Sequence, residues 1–236
     1  MIETRDLHAI LISACKKLER DFAYEELGAR LDTIRVKIVD AKELSHTLCG
    51  RKERRFYHVP AYYDPNKHVI YLNETMLFQE NDTTVFIICY HELLHAISHH
   101  RNYQEENTNI FQSGAKIEQF SYQFYNCSNR LLNEGIVQFL TNYYNNADDN
   151  AYAYSSETKL IRKAAQLIGM TPFKRALLFG NLDSLESAFD GLFGAYSFRS
   201  FSKLLDKKEY AHAEALLTPL SVMVLSPLLQ ESLSSA

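Results

Sequence analysis

Apolar residues recur at three- and four-residue intervals over residues 5–20, at Leu7, Ile10, Leu11, Ala14 and Leu18. That spacing predicts an amphipathic helix, followed by a second short helical stretch from Tyr24 to Leu31. The period then changes to two. Thr33 to Asp40 alternates β-branched and polar residues and reads as a strand, and Ala41 to Cys49 as a short helix ended by Gly50. Segments 55–63 and 68–73 flank Asp64-Pro65-Asn66-Lys67, whose first three residues are turn formers, so the pair predicts a β-hairpin. From Val85 to Ser98 the chain is apolar except for two histidines and a glutamate, with Asn81 or Asp82 as the helix cap and an end near His99. A polar stretch, Arg101 to Asn109, leads to alternating segments between Ile110 and Tyr125 that predict one or two strands. A second apolar helix is predicted from Leu131 to Tyr144. After a linker from Asn145 to Ala151 the pattern is helical to the end, broken at Gly169, Gly180 and Gly191 to Gly194.

These elements predict an α+β protein with a small mixed sheet and a helical C-terminal half. At 236 residues and 46% hydrophobic, the chain can bury a core of its own. We read residues 1–236 as one unit with two parts, 1–100 and 101–236. The net charge of −4 and the scattered basic residues, clustered only at Arg51 to Arg55, argue against a nucleic-acid partner. Cysteines 15, 49, 89 and 127 form no CxxC pair, which fits a reducing compartment. Met1 to Asp6 lacks the basic and apolar regions of a secretory signal, and no apolar run reaches bilayer length. A cytoplasmic location is therefore expected, and export by a specialised secretion machine would leave no mark on this pattern.

The chemistry lies in His91-Glu92-Leu93-Leu94-His95. Residues four apart stand one turn above each other, so the two imidazoles can converge on one ion from one helical face. Glu92 follows His91 by about 100° of rotation, placed to reach a water beside that ion and not to ligate it. A buried helix does not carry His and Glu without partners, and the apolar residues around these three say that the helix is buried. Catalytic zinc takes a third protein ligand. Ser98 and Arg101 stand where a metzincin would have Gly and His, which excludes that class. His99 and His100 read as helix-end residues, Glu118 as a surface carboxylate in a strand, and Asp148 and Asp149 as solvated linker acids. Glu134 is different. It stands in Leu131-Leu-Asn-Glu-Gly-Ile-Val-Gln-Phe-Leu140, where a buried carboxylate needs a cation, and Zn²⁺ would satisfy it.

The segments HELLH at 91–95 and LNEGIVQFLT at 132–141 resemble the gluzincins, zinc metallopeptidases whose third ligand is the glutamate of an Asn-Glu-Gly-type helix. The small bacterial members are similar over roughly residues 68–190. The resemblance implies a zincin-like fold, with one zinc on His91, His95 and Glu134 and with Glu92 as general base. It also implies a Tyr or His donor for the tetrahedral oxyanion, for which Tyr154 is the first choice, ahead of Tyr152 and Tyr125. Asn133 would then stand beside the ligand. Gln138 occupies a position that is acidic in thermolysin-like members, and no Gly-Ala-Met-Glu-Asn-type motif appears upstream. The first departure leaves the partner of the zinc histidine open, and the second favours an endopeptidase acting on a specific protein, or a peptidase of unusual choice, over an aminopeptidase. That substrate is either a regulator in the producing bacterium or a host protein met by a secreted effector. In the resembling folds the strand before the active helix is a free edge, so an extended peptide is expected along His68 to Asn73. A catalytically silent zinc-binding module is the alternative, disfavoured by the presence of Glu92.

Overall fold

The structure is a computed structural model that describes residues 6–23, 27–49, 58–98, 100–105, 108–120, 125–150 and 152–219. It is a mixed α+β protein. The chain divides into two compact units, the first comprising residues 1–98 and 141–147 and the second residues 99–140 and 148–236.

In the first unit, α1 (Leu7–Asp21) is the predicted amphipathic helix, burying Leu7, Leu11, Ala14 and Leu18, with Asp6 capping it at the amide of Ala9. It is followed by α2 (Leu27–Asp32), β1 (Arg35–Val39), α3 (Ala41–Cys49), β2 (Ala61–Asp64), β3 (Val69–Asn73), α4 (Glu74–Leu77) and α5 (Asp82–Ile97). Residues 24–26 and 50–57, which the sequence placed in a helical stretch, a helix stop and the start of the hairpin, lie outside the described residues. The hairpin of β2 and β3 forms as predicted around Asp64, which accepts from the amides of Asn66 and Lys67.

One expectation fails here. The strand order is β1-β3-β2, with β1 parallel and β2 antiparallel to β3, so the stretch His68 to Asn73 is no free edge. Every residue of β3 is buried. Val69 and Tyr71 join Val39 and Leu44 in a small core cluster on one side of the sheet, and Ile70 and Leu72 point to the other. A peptide cannot add along a strand whose backbone groups are already committed on both sides.

The second unit opens with a four-stranded antiparallel meander of β4 (His100–Glu105), β5 (Thr108–Ser113), β6 (Lys116–Phe120) and β7 (Tyr125–Ser128). The first of these was read from sequence as a polar connection. Next comes α6 (Arg130–Asn145), whose residues through Leu140 belong to the second unit and whose last turn belongs to the first. The helical half comprises α7 (Ser155–Ile168), α8 (Thr171–Phe179), α9 (Leu182–Phe193), α10 (Ser197–Asp206) and α11 (Tyr210–Leu216). Gly169, Gly180 and Gly194 end α7, α8 and α9 as the pattern required, whereas Gly191 is carried inside α9. Phe189 is the hub of their core, with the rings of Phe173, Phe193, Phe198 and Phe201 centred 5.1–6.3 Å away. Among the described residues, no helix is long and apolar enough to cross a membrane.

Candidate metal centre

Helix α5 is apolar nearly all round, burying Val85, Ile87, Cys89, Tyr90, Leu93, Leu94, Ala96 and Ile97. Such a helix has no amphipathic stripe to fix its rotation about its own axis, so polar tethers do that work. Asn81 caps its start by accepting from the amide of Thr84. At its end, the Ser98 hydroxyl donates to His95 O at 2.7 Å and the Arg30 guanidinium donates to Ile97 O at 2.8 Å. In its middle, the buried Tyr90 hydroxyl donates to Asp21 Oδ2 at 2.7 Å, and that oxygen also accepts from Lys17.

On this frame the half-buried rings of His91 and His95 meet edge to face, with their Nε2 atoms 3.1 Å apart. As neutral imidazoles they can share that contact with one ring donating and the other accepting. Two imidazole nitrogens on a tetrahedral zinc, each about 2.05 Å from it, stand about 3.3 Å apart, so the observed pair needs only a small adjustment to hold an ion. Its chemistry requires both Nε2 atoms free of hydrogen, with the protons on Nδ1. The third donor is Glu134, also half-buried, in the second turn of α6. One ligand atom from each of His91, His95 and Glu134 lies within 4.8 Å of the other two.

Glu92 is half-buried, and its Oε2 accepts from the backbone amide of Tyr63 on β2 at 2.7 Å. The register explains that bond. Asn73 donates its amide to Pro60 O, so residues 60, 62 and 64 of the hairpin arm face β3 and Tyr63 turns its amide outward. No sequence pattern points to Tyr63 here, because a backbone donor has no side-chain signature. Only the hairpin register could have found it.

Around Glu134 the second unit is closely packed. A Cβ added at Gly135 would come within 3.0 Å of Glu157 Cβ and 3.2 Å of Ile161 Cγ1, so the glycine of the Asn-Glu-Gly run is where α7 approaches α6. Glu157 is buried, and its Oε1 accepts from the Tyr210 hydroxyl at 2.6 Å. Asn133 is buried as well, and its Oδ1 accepts from Ala115 N in the turn between β5 and β6. Its side chain thus clasps a hairpin.

The other candidates have surroundings of their own. Tyr154 precedes α7 at a φ of +61°, with 36% of its surface exposed. Tyr152 is half-buried in the same approach to α7, and the side chain of Tyr125 lies outside the described residues, as does His99. Glu118 pairs with Lys116 at 3.2 Å. Asp149 corrects the sequence reading: its carboxylate takes both Nε and Nη2 of Arg162, at 2.5 and 2.7 Å, and is no solvated linker acid. Arg162 also lies over the ring of Phe139, 5.2 Å from its centre. No family model, no curated protein and no solved structure matches this chain.

Proposed function

We propose that the chain is a zinc-dependent hydrolase of peptide bonds, an endopeptidase of gluzincin type acting on a protein substrate. In this reading His91, His95 and Glu134 hold the ion and Glu92 is the general base. The supporting observation is the convergence of two imidazoles and one carboxylate within 4.8 Å, a donor set that suits zinc and leaves a position open for catalysis. When bound, the ion supplies a Lewis acid and lowers the pKa of water to about 7. Glu92, held by the Tyr63 amide, accepts the proton of the attacking water and returns it to the departing amine. The Tyr154 phenol is assigned the developing oxyanion. With β3 paired on both sides, an extended substrate has to add at an outer strand.

Metal analysis and casein hydrolysis on three variants test these roles. Glu92→Ala should keep about one zinc per chain and lose a factor of roughly 10²–10⁴ in kcat. Glu134→Ala should lose the zinc, and stoichiometric retention would remove Glu134 from the ligand set. Tyr154→Phe should keep the metal and lose a factor of roughly 10²–10³ in kcat. Full activity of Glu92→Ala would overturn the mechanism.

A further inference from the structure

Strand β2 carries the amide that holds Glu92, yet it is only four residues long and lies at the edge of its sheet. An edge strand is fixed by its neighbour on one side only, so a base that depends on its outward amide needs a second tether. The side chain of the same residue supplies one. The Tyr63 hydroxyl lies 2.5 Å from His68 Nδ1, and His68 Nε2 lies 2.9 Å from Thr33 Oγ1. The protons can be placed in order. Thr33 Oγ1 donates its hydrogen to Arg30 O at 2.8 Å, so toward His68 it can only accept. His68 therefore carries its proton on Nε2, and its bare Nδ1 accepts from the Tyr63 hydroxyl. Arg30 in turn donates to Ile97 O in the last turn of α5. The path leaves α5 at Glu92 and returns to it at Ile97.

We propose that Tyr63, His68 and Thr33 form a hydrogen-bonded chain whose role is to position the Glu92 carboxylate. Two features of His68 support a dedicated role. Its φ of +53° lies in the left-handed region, which a residue with a Cβ adopts only when its surroundings require it. Its carbonyl accepts from Arg35 N, and the Arg35 guanidinium donates to Lys67 O just before it, so the backbone is held where the ring can reach Tyr63. Tyr63 itself is a buried residue. These are positioning residues. Their effect on catalysis rests on the hydrolase reading above, but the effect on the Tyr63 amide does not.

The test uses the full zinc-loaded chain with fluorescein-labelled casein as the probe, and amide hydrogen exchange followed by NMR as a second readout. Tyr63→Phe removes one hydroxyl without changing shape. It should speed exchange at the residue 63 amide about five- to tenfold, the size of one lost hydrogen bond. Residues 62 and 64, whose amides face β3, should stay as they were. His68→Ala should do the same. His68→Asn should restore slow exchange, because asparagine tolerates positive φ and offers an oxygen near the place of Nδ1. In Tyr63→Phe and His68→Ala, kcat should fall by about the same factor, with KM and zinc content unchanged. Long-range proton–nitrogen spectra should show the Nε2–H tautomer of His68 in the wild type. Unchanged exchange at residue 63 in Tyr63→Phe, or an Nδ1–H tautomer, would overturn the proposal. A wild type that leaves casein intact but shows the exchange pattern would overturn a general endopeptidase activity and leave the chain of bonds standing.

Discussion

The two helices that carry the candidate ligands are fixed in different ways. Helix α5 is apolar on nearly every side and is held by hydrogen bonds at its start, middle and end, from Asn81, Tyr90, Ser98 and Arg30. The N-terminal part of α6 adds a steric contact to its hydrogen bonds: a glycine is pressed on α7, while two asparagines, 129 and 133, bond to Ala115 at the tip of the β5–β6 hairpin. Packing sets distance well and rotation poorly when all faces are alike. The rotation of the His91–His95 face is therefore a polar problem, whereas the depth of Glu134 is a steric one.

The largest effect is expected at Gly135. Alanine there gains about 1 kcal/mol of helix propensity but forces its Cβ against Glu157 Cβ and Ile161. Overpacking costs about 1–3 kcal/mol, and the contact atoms sit close to the α7 backbone, so the clash should win. A net loss of up to about 2 kcal/mol, or a melting point lower by up to roughly 6 °C, is expected in calorimetry. A more stable Gly135→Ala would mean that α7 yields freely and that shape does not fix α6. Next in size is Tyr90→Phe, which takes the hydroxyl from Asp21 while leaving the neighbouring His91 in place. Since Lys17 still serves that carboxylate, the expected loss is about 1 kcal/mol in denaturant titration, with zinc stoichiometry unchanged. Smaller again is Asp206→Ala. Its Oδ1 accepts from Leu131 N and puts a negative charge at the start of α6. Removing it should cost about 0.5–1 kcal/mol.

How much of this was legible beforehand follows the same division. The His91–His95 stripe, the Asn81 cap and the β2–β3 hairpin are local patterns, and each could be read from a window of a few residues. Glu134 was legible through a mismatch, a carboxylate in an apolar helix. The inner position of β3 was hidden because its second neighbour, β1, lies some 30 residues earlier, and a parallel pairing leaves no turn signal between the two. Strand β4 was hidden because His100 to Glu105 is almost wholly polar and takes its order from pairing with β5. Asp149 was misread because its partner, Arg162, is a helix away. Only the hairpin register could have pointed to the Tyr63 amide, since every residue but proline has one.

The smallest effect concerns pH, and it separates the polar tethers from the packed ones. Burial, and then the charge of Arg35, lower the pKa of His68 below its ordinary value near 6.5. Tyr63 from β2, Thr33 from the segment before β1 and Arg35 from β1 face the ring, and none of these three is an anion at neutral pH. Between the lowered value and 6.5 the unfolded chain binds more protons than the folded one, so stability rises with pH across that window. The contribution is fully present above 6.5 and is lost as pH falls through the folded-state value. Protonated His68 also presents N–H on both sides, so Nδ1 can no longer accept from the Tyr63 hydroxyl. Denaturant midpoints measured from pH 7.5 down to 5 should therefore fall in the wild type and fall less in His68→Asn, which has no proton to gain. Gly135→Ala, acting by shape alone, should lower the whole curve without changing its slope. A wild type and a His68→Asn variant with parallel curves would show that His68 binds protons equally in the folded and unfolded chains, and that the polar frame of α5 is as indifferent to pH as the packed frame of α6.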